Sequence, residues 1–266
     1  MPRYLGQHFL KNQTILEKIE QAIDVQEGDL IVEIGPGHGE LTEKIKNPIP
    51  TGRQGKSKVK IIGIEKDRHL SDFLEEKFLN DKDVKIICGD ALKILPVLHS
   101  KYKIQNTKYK LVGNIPYYIT GHLLRIIGEL KFKPTKAILL IQKEVALRIC
   151  AQAPHSNLLS MSVGFWAKPK IIMSVSAGNF SPPPEVESAV LELSLKNDVD
   201  WKNADKYYSF IRKAFKQPRK TLINNLVAGG VNKKEASAIL EKYSLNGSVR
   251  PQNINPRDVY KISLLF

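Results

Sequence analysis

The sequence predicts an α/β fold, a doubly wound and mostly parallel sheet with an antiparallel edge, followed by a small all-α domain. Three observations carry this expectation. Short apolar runs recur, each closed by a polar or glycine-bearing turn. Segments with apolar residues three and four positions apart separate those runs. After about residue 198 the helical spacing continues alone. With 266 residues and 42% apolar content, the chain can build a sizeable core.

The apolar runs are LIVEIG (30–35), VKIIGIE (59–65), VKIICGD (84–90), YKLVGN (109–114) and AILLIQ (137–142), each of a length and composition suited to a buried parallel strand. GELTEKIK and DRHLSDFLEEKFL lie between them and carry the spacing of amphipathic helices. NPIPTGRQGKSK (47–58) is polar and contains glycine and proline, so it reads as a surface excursion. Beyond residue 160, PKIIMSVSAGNFSPPPEVESAVLELSL holds two apolar runs joined by a proline-rich loop, which suits an antiparallel pair closing the sheet edge. ADKYYSFIRKAFKQ, KTLINNLVAG and KKEASAILEKYSL have helical spacing only. The boundary is therefore expected near residue 196, giving domains 1–195 and 196–266.

Composition narrows the function classes. No apolar run approaches the roughly 18 to 20 residues needed to span a bilayer, and MPRYLGQHFLKNQ lacks the features of a signal peptide, so a cytoplasmic protein is expected. Cys88 and Cys150 have no CxxC or Cys/His cluster around them; neither a disulfide framework nor a metal site is expected, and both read as buried small apolar residues. The formal charge of +14 favours a polyanionic partner, nucleic acid first. From Lys196 to Phe266 there are 14 basic and 6 acidic residues, net +8, so the last quarter holds over half the excess.

In VEIGPGHGELT, Gly35, Gly37 and Gly39 follow a strand and precede a helix, which lets the backbone turn tightly and a ligand come close to the helix start. The G-x-G-x-G spacing, with Glu33 two residues before the first glycine, favours S-adenosylmethionine over a dinucleotide. The next strand ends in Glu65, whose carboxylate can accept both ribose hydroxyl hydrogens. The third ends in Asp90, an acceptor suited to the adenine amine of that cofactor. Acidic residues at strand ends also cap helices, and only their joint occurrence points to a cofactor.

The fourth strand ends in Asn114-Ile115-Pro116-Tyr117, which a doubly wound fold places beside the cofactor. The Asn114 side-chain oxygen and the Ile115 carbonyl could accept the two hydrogens of an exocyclic nucleobase amine and aim its lone pair at a methyl group. Pro116 stiffens the carbonyl, and Tyr117 could stack on the base. No strong general base is needed, because the amine becomes far more acidic once methylated. An Asx turn with a core tyrosine is the plainer alternative.

These residues resemble a known family. The tetrapeptide is similar to the D/N/S-P/I/L-P-Y/F motif of adenine and cytosine amino-methyltransferases. LGQHFL (5–10), VEIGPGHGELT, FSPPPEVESAV (180–190) and AFKQPRKTLINNL (214–226) resemble, in order, the motifs of the rRNA adenine N6-dimethyltransferases, the last that of the branch modifying small-subunit rRNA. The resemblance implies a Rossmann-like class I methyltransferase domain that dimethylates two adjacent adenosines in the 3′-terminal hairpin of 16S rRNA, within the small ribosomal subunit or its precursor. It also implies a role in subunit biogenesis, and a monomer with no membrane partner is expected. His8 and Leu10 would contact S-adenosylmethionine from the N-terminal arm, Gly35 and Gly37 would approach it, Glu65 and Asp90 would bind ribose and adenine, and Asn114 would lie against it while holding the target amine. Phe180 would cover the target base opposite Tyr117, and Lys213, Arg219 and Lys220 would contact RNA phosphates. His8 stands where Asn is commoner, and Pro218 replaces an expected Arg. Two alternatives stay open: an Erm-type enzyme acting on large-subunit rRNA, which often carries Asn-Ile-Pro-Tyr/Phe, and a non-catalytic RNA-binding assembly factor on the same fold.

Overall fold

The computed structural model describes residues 7–47, 59–102 and 108–266. The excursion expected at 47–58 lies, apart from Asn47, outside the described residues, as do Leu5 and Gly6 of the first motif. The strands are β1 Phe9–Leu10, β2 Leu30–Ile34, β3 Lys60–Glu65, β4 Val84–Cys88, β5 Tyr109–Asn114, β6 Lys136–Gln142, β7 Ala167–Val175, β8 Phe180–Ser181 and β9 Ser188–Leu195. The helices are α1 Gln13–Ile23, α2 Glu40–Lys46, α3 Arg68–Lys77, α4 Ala91–Ile94, α5 Leu98–Lys101, α6 Thr120–Glu129, α7 Lys143–Cys150, α8 Leu158–Trp166, α9 Ala204–Ala214, α10 Leu222–Ala228, α11 Lys233–Lys242 and α12 Pro256–Ser263.

Seven strands form one sheet in the order β4-β3-β2-β5-β6-β9-β7. The pairs β2–β3, β3–β4, β2–β5 and β5–β6 are parallel, and β9 runs antiparallel to β6. All five residues of β2 are buried, as expected of a strand covered on both faces. The chain leaves β2 for β3 on one side and later returns to β5 on the other, so the topological switch point falls between β2 and β5. Register brings the two ends together: Ile34 pairs with Gly113, so Gly35 and Asn114 emerge side by side.

Local chemistry starts the helices where the sheet needs them. Asn12 caps α1 by accepting from the Ile15 N–H, and Leu16, Ile19 and Ile23 then face the core. That core also takes Leu10, Ile31, Val112, Ile138, Phe180 and Val190, tying the N-terminal arm to the sheet. Asp67 caps α3 through the His69 and Leu70 N–H groups. One expectation is corrected, the burial of the two cysteines. Cys88 is exposed, because β4 is the outermost strand and is covered less completely than β2 or β3. Cys150 ends α7 and is half-buried, and neither cysteine is in a disulfide.

The chain divides into two compact units, one of Met1–Ala146 with Lys170–Leu195, the other of Leu147–Pro169 with Lys196–Phe266. A cut at residue 196 separates the last sheet strand from α9, but the helical unit also takes in α8. The Phe165 ring stacks on Tyr207 at 4.6 Å, and the Tyr207 hydroxyl donates to the Met161 carbonyl at 3.0 Å, so α8 supplies part of the apolar surface that α9 buries. In this unit Lys213 is half-buried on α9, while residues 216–220 form an exposed loop before α10 that carries Arg219 and Lys220. The loop is held from within by Asn225, 1% exposed, which accepts from the Gln217 N–H at 2.7 Å and donates to the Gln217 carbonyl at 2.9 Å.

Candidate active site

A cleft opens at the carboxyl ends of the parallel strands. It collects His8, Gly35, Gly37, Glu65, Asp90, Asn114, Ile115, Pro116, Tyr117 and Phe180 from the first unit. These positions are far apart in sequence, and what unites them is that most close or follow a parallel strand.

The glycine loop turns through left-handed backbone at Gly35 (φ 63°) and Gly37 (φ 62°), conformations that cost a side-chain-bearing residue about 1 to 2 kcal/mol. A Cβ on Gly37 would lie 3.0 Å from the Phe9 ring, so a side chain there would also press on the arm. Glu65, 3% exposed, closes β3 and accepts from the Gly37 N–H at 3.1 Å and the Asp67 N–H at 2.9 Å. Burial raises its pKa, and these N–H donors oppose the rise by favouring the carboxylate. A carboxylate has about four acceptor positions, so Glu65 keeps acceptor capacity beside its backbone N–H donors. Asp90 performs the plainer role as well: one oxygen caps α4 by accepting from the Leu92 N–H at 3.0 Å, and the other faces the Lys66 ammonium at 3.3 Å. Lys66 lines the cleft beside it.

A second, smaller pocket is lined by Gly35, Pro36 and Gly37 of the glycine loop and has Glu33 in its wall. Glu33 is 2% exposed and accepts from the Thr42 hydroxyl at 2.6 Å. Burial pushes its pKa up to about 7, against the opposing effect of the Thr42 hydrogen bond. Leu10 lines this chamber rather than the cleft. It pairs with Phe180 across the β1–β8 ribbon and packs into the core, while the preceding Phe9 lines both this pocket and the cleft.

The tetrapeptide that follows β5 is held on every side. The Asn114 amide nitrogen donates to the His8 carbonyl at 2.6 Å, which leaves its oxygen as the acceptor still available. The buried Ile115 donates its own N–H to Leu140, and the turn that follows is hydrogen-bonded from the Pro116 and Tyr117 carbonyls onward, so the Ile115 carbonyl stands outside that turn. The Tyr117 hydroxyl shares a 2.8 Å hydrogen bond with Ser188, and its ring lies 6.1 Å from that of His8, 27° from parallel. Phe180 is buried and serves both the core and the cleft wall. Tyr118, 65% exposed at the cleft wall, was not anticipated from sequence, although its place beside Tyr117 in the turn was a signal.

Among the described residues no group of three His, Cys, Asp or Glu side chains could hold a metal ion, and no helix is long and apolar enough to cross a membrane. The donor set is thus two carboxylates, a glycine-lined backbone, an oriented amide and aromatic rings. It can bind a polyhydroxylated nucleoside and hold a planar amine-bearing base.

A sequence profile described as Ribosomal RNA adenine dimethylase matches residues 2–266. Ribosomal RNA small subunit methyltransferase A of Dehalococcoides mccartyi, strain BAV1, is 35% identical over 265 residues, covering 98% of this chain and 87% of that protein. The protein of the same name from Mycoplasma mobile is 37% identical over 260 residues, 97% of this chain and 94% of that one. Among solved structures, a dimethyladenosine transferase from Plasmodium falciparum has a TM-score of 0.79 at 25% identity, with 96% of each chain covered. The 23S rRNA methyltransferase ErmE shares the fold, with a TM-score of 0.74 at 18% identity over 97% of this chain and 98% of that one.

Proposed function

The chain belongs to the ribosomal RNA adenine dimethylase family, and from that premise we propose that it dimethylates N6 of two adjacent adenosines in the 3′-terminal hairpin of 16S rRNA, using S-adenosylmethionine. The observation that carries the proposal is the Asn114 amide, whose nitrogen is committed to the His8 carbonyl and whose oxygen is therefore the acceptor, in the same cleft as Glu65 and Asp90.

The residues fit the cofactor. Gly35 and Gly37 leave a side-chain-free cradle, and Glu65 keeps acceptor capacity for the ribose hydroxyls beside Asp90 for the adenine amine. When bound, S-adenosylmethionine supplies an electrophilic methyl group. The protein's own groups do the rest. An adenine amine is a poor nucleophile because its lone pair is delocalised into the ring. The Asn114 oxygen and the Ile115 carbonyl accept its two hydrogens, which favours a tetrahedral nitrogen and directs the lone pair. Tyr117, fixed through Ser188, offers its ring to the base, and Phe180 bounds the slot; stacking of this kind is worth about 1 to 3 kcal/mol and offsets part of the cost of flipping the base out. The methylated amine is acidic enough to give its proton to solvent water, so these residues act by positioning.

The substrate would be the small subunit or its precursor, met by a monomer in the cytoplasm. Residues 1–195 would carry the chemistry and 196–266 the RNA contacts, with Lys213, Arg219 and Lys220 on phosphates. The nearly full-length likeness to small-subunit enzymes supports this choice over the large-subunit alternative. The test is transfer of labelled methyl groups to ribosomes from a strain lacking the small-subunit modification. Label is expected on adenines of the small-subunit RNA, with Asn114→Ala at least about 100-fold slower, the scale on which loss of an oriented hydrogen-bonding group is felt. Label on the large subunit instead would sink the assignment.

A further inference from the structure

We propose that His8 is a positioning residue for Asn114: its side chain clasps the N-terminal arm to the proline-rich loop, and the carbonyl so fixed keeps the Asn114 amide oxygen available to substrate. The proposal rests on the methyltransferase reading above and gives His8 a role separate from cofactor contact.

Three contacts meet at this residue. The Asn114 amide nitrogen donates to the His8 carbonyl at 2.6 Å, across 106 positions of sequence. The His8 ring Nδ1 lies 2.8 Å from the Pro182 carbonyl, across 174 positions. The same ring faces Tyr117. A carbonyl only accepts, so Nδ1 carries the hydrogen and donates to Pro182. An asparagine amide is nearly symmetrical in shape but opposite in function at its two ends, and a half-turn would offer a donor where the substrate amine needs an acceptor. The His8 carbonyl rejects the rotated form, since two oxygens would then face each other.

The clasp matters because of where the arm is anchored. On its C-terminal side, residue 8 is followed by the β1–β8 pairs Phe9–Ser181 and Leu10–Phe180, and then by the Lys11 N–H donating to Asn179 at 3.0 Å. The ring of His8 extends that strap one residue further, to Pro182 beyond the end of β8. Without it the contacts that hold the peptide carbonyl at residue 8 among the described residues come from its C-terminal side, and the amide that depends on it is held less firmly. An asparagine at this position retains an N–H donor for Pro182. A phenylalanine retains the ring but has no donor.

The experiment measures methyl transfer to unmodified small subunits at saturating cofactor, together with cofactor affinity by calorimetry and thermal melting, for the wild type, His8→Ala, His8→Phe and His8→Asn. His8→Ala and His8→Phe are expected to turn over about tenfold more slowly, a factor equivalent to one hydrogen bond of typical strength, with cofactor Kd within about threefold of wild type. His8→Asn is expected to recover turnover to within about threefold of wild type. If His8→Ala does not fold, His8→Phe carries the comparison. Weakened cofactor binding with unchanged saturating turnover would overturn the proposal, as would slow turnover that His8→Asn does not restore. Wild-type protein that transfers no methyl group to any ribosomal RNA would instead remove the methyltransferase reading on which the proposal stands.

Discussion

Glu33→Gln should stabilise the protein progressively more, relative to wild type, as the solution passes from acidic to alkaline. Glu33 is buried at the end of β2, and its pKa rises from 4.5 to about 7 chiefly through burial. The folded protein therefore holds a proton there that the unfolded chain has already released across most of pH 4.5 to 7. Stability from this group is present in full below about pH 4.5 and is lost as pH rises through 7. Between pH 5 and pH 8 the loss amounts to roughly 2 to 3 kcal/mol. The glutamine of the variant has no proton to lose, and its side-chain oxygen can still accept from the Thr42 hydroxyl, which donates at 2.6 Å in the native protein. Urea denaturation of both proteins at pH 5 and pH 8 isolates this effect, because titrating groups not coupled to Glu33 cancel in the difference. The variant is expected to gain roughly 2 to 3 kcal/mol relative to wild type on going from pH 5 to pH 8. A difference that stays constant with pH would show that Glu33 ionises like an exposed carboxylate, and the burial argument would fail.

Gly37→Ala should lower cofactor affinity about tenfold and reduce the melting temperature, since it places a Cβ 3.0 Å from the Phe9 ring in left-handed backbone at φ 62°; unchanged binding by calorimetry would mean that the arm yields without consequence. Changing Lys213, Arg219 and Lys220 together to Gln should weaken ribosomal RNA binding and flatten the log–log dependence of affinity on salt by about two to three, close to one for each phosphate no longer neutralised. Filter-binding titrations across about 50 to 200 mM salt read that slope directly, and an unaltered slope would remove these residues from the interface.

Where a group's role depends on its neighbours along the chain, the sequence was a good guide. β5 begins and ends where its apolar pattern does, at Tyr109 and Asn114, and Gly35, Glu65, Asp90 and Asn114 reach one cleft because each closes or follows a parallel strand. Roles set by long-range packing were less legible. Cys88 has the composition of a core residue but sits on the outermost strand, whose position depends on the order of the sheet. Leu10 belongs to the expected arm motif, yet its side chain packs into the core. The grouping of 147–169 with the C-terminal helices could not be read from periodicity, because α8 and α9 have helical spacing whichever layer they join. The two hydrogen bonds of His8 left no local signature, since Pro182 and Asn114 carry no mark of their partner.

The loop at 216–220 has five exposed residues between two helices, and Asn225 bonds it from inside much as a neighbouring strand would. The ordering of such a loop, of the order of 1 to 2 kcal/mol per residue, is then met when the protein folds. Arg219 and Lys220 consequently resemble studs on a rigid plate more than beads on a string. A partner docking on them would not first have to quiet their backbone, so the attraction that brings it in and the stiffness that keeps it in register would come from different residues.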